Sequence, residues 1–292
     1  MSKTKKAVII GSVLVGIGVI IGFIGIAIGG FKFPNGAVDL TTMKALHAEK
    51  KTVQIADAFD KIEIAGASSM DIEICKSKTG KNYVEYYDTD DWTSRVDVKD
   101  RVLKFTTDDK GKHKAVVSLG FGKDTAARLY LADAEYKEIS VTTLSGYVTI
   151  QDVNAETVNV SASSGDLYMK NINVPDSIMA TSSSGDIDLE NATAKQIELG
   201  ANSGDIEMQD ITAESLRMST SSGDIDLESC DAEKFDITTS SGDVDMEITA
   251  GRTYRFETKT NSGAVDVPDG DADSDYLCKI VTSSGDVDVK QK

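Results

Sequence analysis

Histidine is scarce in this chain: 292 residues contain two. His47 falls in a linker and His113 in a lysine-rich turn with Lys110, Lys112 and Lys114, so neither has the spacing of a metal site or a catalytic triad. Serines without a nearby base read as turn residues, not nucleophiles. Three cysteines make no disulfide framework, and an odd count leaves at least one thiol unpaired. Positive charge is also short, with 31 Lys and Arg against 48 Asp and Glu and a net charge of −17, which argues against nucleic acid as a partner. The carboxylates are plentiful but periodic, whereas a glycan-cleaving site would interrupt a repeat with a unique cluster. These absences predict a protein that is not an enzyme, with no catalytic residues and no resident cofactor.

Long uncharged runs are equally rare, and the one exception is informative. After a tail of residues 1–6 carrying Lys3, Lys5 and Lys6, residues 7–31 contain no charge, a run of 25. That exceeds the roughly 20 residues needed to cross a bilayer and the core of a cleavable signal peptide. The expectation is an uncleaved single-pass anchor in a cell membrane, with the N-terminus cytoplasmic and the remainder extracytoplasmic. Gly11, Gly18, Gly22, Gly25 and Gly29 share one heptad stripe of that segment, a spacing that lets two membrane helices approach closely and form a homodimer. Residues 32–51 read as a juxtamembrane linker, with a turn at Pro34-Asn35-Gly36 and weak helical character from Met43 to Lys51.

The rest is organised by one phrase. Ser-Gly followed by Asp and alternating apolar and acidic residues recurs at Gly165, Gly185, Gly204, Gly223, Gly242 and Gly285, with looser copies at Gly146 and Gly263. In chain order these eight glycines are spaced by 19, 20, 19, 19, 19, 21 and 22 residues. A period near 20 marks a solenoid whose coils bury apolar surface against their neighbours. Two residues after the glycines stand Val148, Leu167, Ile187, Ile206, Ile225, Val244, Val265 and Val287, and the positions four after and seven before are as apolar. Alternation on both sides of the turn predicts two short strands per coil, pairing in parallel with neighbouring coils, with glycine supplying a positive φ at the turn. The regular repeats cover residues 131–292. Residues 52–130 hold less regular strands and most of the aromatic bulk outside the apolar run, including Tyr83, Tyr86, Tyr87, Trp92 and Phe105. They read as the solenoid's cap, or alternatively as an aromatic platform for a carbohydrate or a partner. Cys230 and Cys278 fall in apolar columns and read as small buried hydrophobes. Strand 286–289 is the last in the sequence, and no cap is visible beyond it, so it is expected to present an open edge.

Two columns of carboxylates point outward. One residue after glycine lie Asp186, Asp205, Asp224 and Asp243, and three after it lie Asp188, Glu207, Asp226 and Asp245. Like charges at strand spacing repel, so either solvent or bound cations must offset them. The first reading is a solvated acidic face. The second is a cation ladder, with calcium the candidate because the donors are all oxygen. The Ser-Gly-Asp phrase, behind a membrane anchor and from about Thr52 onward, resembles the bacterial putative-adhesin family of β-strand repeats, a domain of unknown function. The resemblance implies an all-β parallel solenoid displayed at the bacterial cell envelope, in some members associated with envelope-stress systems. The expected role is a non-catalytic interaction surface for a protein or cell-wall polymer. The alternative is a regulatory subunit that senses envelope stress and couples to a membrane partner through the glycine-striped helix.

Overall fold

The computed structural model describes residues 37–39, 44–45, 48–67, 70–89, 92–109, 116–118, 126–249 and 251–292. Segment 7–31, with the glycine stripe Gly11 to Gly29, lies outside them. Among the described residues no helix is long and apolar enough to cross a membrane. The helical tendency expected from Met43 to Lys51 is replaced by strands Lys44–Ala45 and Ala48–Gln54. There Val53 and Ile55 pack against the core, and that burial overrides the weak local propensity. The chain divides into two compact units, residues 1–48 with 112–124 and residues 49–111 with 125–292. In the first, Ala37–Asp39 pairs antiparallel with Lys44–Ala45 and with Val116–Ser118.

The second unit is the solenoid. Its ladders are parallel and in register, so that Leu167, Ile187, Ile206, Ile225 and Val244 stack as one inward column. The two short strands expected per coil are instead one continuous strand with three inward-facing stretches. In Leu167–Ser182, residues 167 and 169 point inward, then 172 and 174, then 178, 180 and 182, with consecutive outward residues between each set. A single period-2 strand cannot change phase without a corner. The first corner is a left-handed residue, Asp152, Asn171, Asn191, Asp210 or Ser229 in successive coils, each with φ between 50° and 56°. Short polar side chains tolerate that conformation, and Asn191 Nδ2 donates to Asn171 Oδ1 (2.8 Å), which in turn caps Asp152 through its own Nδ2 (2.9 Å). The second corner takes up irregular coil length. The 20-residue interval from Gly165 to Gly185 is absorbed as a register shift between Val174 and Ser177, beside Pro175.

The turn glycines are present for a different reason from the one expected. In the regular coils they do not have positive φ; of the repeat's glycines only Gly146 (116°) and Gly263 (153°) do. What they share is close approach. A Cβ on Gly204 would lie 2.2 Å from the carbonyl oxygen of Gly185, and the neighbouring coils repeat that geometry. The same carbonyls accept hydrogen bonds from buried hydroxyls three residues before the next glycine: Ser182 to Gly165 (3.0 Å), Thr220 to Gly204 (3.1 Å) and Thr239 to Gly223 (3.4 Å). These hydroxyls satisfy acceptors that the core would otherwise leave unpaired.

Stacking order departs from chain order at both ends. Leu277–Val281 pairs on one side with the 234–238 stretch and on the other with Arg255–Lys259; Val287–Gln291 likewise lies between Val244–Ile248 and Val265–Asp266. The expected open edge at 286–289 is therefore corrected: the last strand is enclosed, and the 255–267 coil is the outer layer. The physical cause is pairing capacity, because the last coil carries the full Ser-Gly-Asp-Val phrase while its outer neighbour has Ala264 in place of Asp. At the other end, Lys61–Ala67 and Ile72–Lys76 sit between the Gly146 coil and the later strands Val102–Asp109 and Ala127–Leu131. That outer layer is closed by antiparallel partners, Trp92–Lys99 on Val102–Asp109 and Tyr83–Thr89 on Ala127–Leu131.

Two glycine substitutions separate close approach from ordinary packing. Gly204→Ala forces a methyl onto backbone that cannot move aside and is expected to cost about 3 kcal/mol or more. Gly200→Ala meets only side-chain atoms at 3.6 and 3.7 Å and is expected to be neutral or stabilising by up to about 1 kcal/mol. Thermal unfolding of the two variants beside the parent measures both.

Candidate binding face

The two acidic columns, alike in sequence, have different jobs. In the first column each carboxylate is tied to the next coil: Asp186 N–H donates to Asp166 Oδ1 (3.1 Å), Asp205 to Asp186 (2.9 Å), Asp224 to Asp205 (2.8 Å) and Asp243 to Asp224 (2.8 Å). The series continues in stacking order through Asp286 to Ala264 (both 2.7 Å), and Asp71 takes the equivalent bond from Tyr147 (2.9 Å) in the first coil. Each bond places an anionic acceptor on an amide that the turn leaves unpaired, a charge-assisted contact worth more than a neutral one. This column is structural.

The second column lines a concave stretch of sheet of about 600 Å³, which includes Tyr168, Asp188, Glu207, Asp226, Asp245 and Lys290. Register places Asp188 beside Glu207, Glu207 beside Asp226 and Asp226 beside Asp245, at the separation of adjacent parallel strands. Its two ends are neutralised. Lys170 and the Tyr168 hydroxyl both bond Glu190 (2.5 and 3.0 Å), and Lys290 pairs with Asp288 (3.1 Å) while Lys292 pairs with Glu247 (2.5 Å). The middle carries the mutual repulsion. Partial burial, followed by the charges of Glu207, Asp186 and Asp166, pushes Asp188 up to about 6. Burial and then Asp245 and Glu207 push Asp226 upward as well.

The eight carboxylates expected as a cation ladder are thus divided. Asp186, Asp205, Asp224 and Asp243 are engaged by backbone, while Asp188, Glu207, Asp226 and Asp245 share the concavity. Among the described residues no group of three or more His, Cys, Asp or Glu is arranged to hold a metal ion. Sequence reasoning missed the next outward column, Lys170, Glu190, Gln209, Glu228, Glu247 and Lys290, which from Glu190 onward forms the other side of the groove. It was visible five residues after each glycine but carries mixed charge and no single residue type.

Elsewhere the described residues offer little chemistry. Cys230 and Cys278 are fully buried, as their apolar columns implied, and burial pushes both thiols up to about 12. Cys75 is half-buried, and its thiol is also raised, first by burial and then by Glu73. Of the aromatic residues in the irregular segment, Tyr86 is buried edge-on against Phe105 and Tyr83 stacks on Tyr130 with ring centroids 4.4 Å apart, which favours filling over display. His47 and His113 lie outside the described residues.

A family model described as Toastrack DUF4097 matches residues 59–290, most of the chain and every coil described above. The chain belongs to the Toastrack DUF4097 family. The resemblance drawn from the Ser-Gly-Asp phrase is borne out. Among solved structures, a putative adhesin from Bacteroides fragilis aligns over 84% of this chain and 97% of its own, with 20% identity and a TM-score of 0.51, which shows a shared fold. A protein from Parabacteroides distasonis described as a putative lipid binding protein aligns over 83% and 96% with 18% identity and a TM-score of 0.48. No curated protein matches the sequence significantly.

The raised Asp188 makes a pH-dependent prediction. A carboxyl whose folded pKa (about 6) exceeds its unfolded value (about 3.9) stabilises the fold below pH 4 and loses that contribution as pH rises through 6. Asp188→Asn is therefore expected to raise the melting temperature at pH 7.5 by a few degrees, on the order of 1–2 kcal/mol after solvent screening, and to change it little at pH 4. Equal shifts at both pH values would show that charge is not the cause.

Proposed function

We propose that this Toastrack protein is a non-catalytic interaction module of the bacterial cell envelope, held at the membrane by residues 7–31, and that its contact surface is the acidic concavity. The observation that carries this reading is the row Asp188, Glu207, Asp226 and Asp245, one carboxylate per coil, with neutralised residues at both ends and repulsion in the middle. A partner with cationic groups along an extended chain, such as a basic protein segment or an amino-bearing wall polymer, relieves that repulsion one coil at a time. Strand spacing of roughly 4.8 Å sets the pitch of the positive groups it recognises. Affinity from such a surface is salt-dependent and its association rate is raised by steering. The adhesive description of the B. fragilis structure is compatible with this reading.

Full-length protein titrated with fluorescent oligolysine at low and high salt tests it. Replacing Asp188, Glu207 and Asp226 by their amides is expected to weaken binding at least tenfold at low salt. The control triple Glu156→Gln, Glu214→Gln and Glu233→Gln removes the same charge from exposed positions elsewhere and is expected to change it less than twofold. Equal losses in both triples would reduce the effect to the −17 net charge and sink the proposed surface.

A further inference from the structure

The displaced order of coils at the two ends has a mechanical meaning. In a simple solenoid the first and last coils are outermost, each held along one edge only. Tension at a terminus then peels one coil at a time, because each repeat contacts only its neighbours. Here neither the 277–291 coil nor the 61–76 coil is outermost, although strand Ala48–Gln54, which precedes the latter, pairs with the outer strand Tyr83–Thr89. Residues 61–65 pair with 138–142 on one edge and 102–106 on the other, and Ile72–Lys76 pairs with Ala127–Leu131 and the Gly146 coil. At the far end, Leu277–Val281 is paired along all five residues on both edges, and Val287–Gln291 along five residues on one edge and two on the other. The inward side chains of these coils are core: Ile62, Ile64, Ile72 and Ile74 at one end, and Cys278, Ile280, Val287 and Val289 at the other, none more than 4% exposed.

We infer that the two tucked coils are strand locks that let the solenoid bear tension between its ends without unwinding coil by coil. Drawing the chain out from residue 292 must break hydrogen bonds on both edges of the last coil and expose Cys278, Ile280, Val287 and Val289 in the same event. The loop 267–276 braces this arrangement. Asp271 N–H donates to Tyr254 O (2.9 Å), Ser274 Oγ to Thr253 O (2.6 Å) and Arg255 N–H to Tyr276 O (2.8 Å), which ties the outer layer to the segment leading into the last coil. Tyr254, fully buried, anchors the outer layer through its hydroxyl to Ala232 O (2.7 Å) and packs edge-on against Phe235. Resistance to force is governed by the height of the unfolding barrier, and loading two ladders together raises that barrier over loading one. The inference does not depend on the acidic surface or on what binds there.

The test is single-molecule stretching of the full-length protein by handles on its two ends. The solenoid is expected to open in one rupture that releases most of residues 49–292, several hundred ångströms of contour at roughly 3.5 Å per residue. Phe256→Ser loosens only the outer layer. In that variant the 277–291 coil loses support along one edge, so the main rupture is expected at clearly lower force than in the parent. Sequential releases of about 20 residues in the parent, starting from the C-terminal end, would overturn the inference. Should the variant not fold, hydrogen exchange on the parent decides. Amides of 277–291 protected like those of the Gly204 coil, with 255–259 exchanging faster, support the locks, and 277–291 exchanging first refutes them.

Discussion

The solenoid depends on the contact of one glycine with the carbonyl of the glycine in the coil beside it. No other residue fits where a Cβ would stand 1.8–2.3 Å from a backbone oxygen. That approach fixes the height of every coil at the turn, and the rest of the repeat follows from it. The hydroxyl of Ser182, Thr220 or Thr239 reaches a glycine carbonyl because the turn is that tight. The aspartate after the glycine reaches the next amide for the same reason. Steric exclusion, buried hydrogen bonding and a charge-assisted ladder act within five residues. The most regular part of the sequence is therefore the turn and not the strands.

Much of the architecture was legible because the inward columns are so uniform. Val148, Leu167, Ile187, Ile206 and Ile225 align on glycine and stack in the structure as the alternation requires. The third wall was hidden. Ala155, Ala192, Ala194, Ala213 and Ala232 line it beside Val153, Val174 and Ile211, and alanine gives no apolar alternation to read. The corner that turns the chain onto that wall is marked only by an Asp, Asn or Ser in left-handed conformation, residue types that this chain also places at exposed strand positions. Stacking order at the ends was not legible at all. Repeat identity says which residues are equivalent, but adjacency depends on which edges find the better partner.

The acidic columns show the same limit for the site. Sequence gives Asp186 and Asp188 identical standing, yet one accepts a backbone amide and the other stands in a groove with its pKa raised. The difference is position along the chain: Asp186 precedes strand Ile187–Ala201 and sits at the turn beside the next coil's amide, while Asp188 stands on the same outward side within the strand. A carboxylate that accepts a backbone amide has one oxygen committed to the scaffold, so the two columns do not offer a ligand the same acceptors. What is left is a narrower and more specific surface than the composition implies.

Enclosing both terminal coils also constrains how such an array changes length. Adding a coil beyond the last one would leave the existing tuck intact only if the newcomer displaced it from between its two neighbours. An internal duplication disturbs neither end, since the coils of Gly185 and Gly204 pair only with their sequence neighbours. Those two and the coil of Gly223 share the phrase Ser-Gly-Asp-Ile, whereas the outer coil has Ser-Gly-Ala at Gly263. In a repeat protein built this way a coil added in the middle leaves the pairing at both ends of the described stack unchanged.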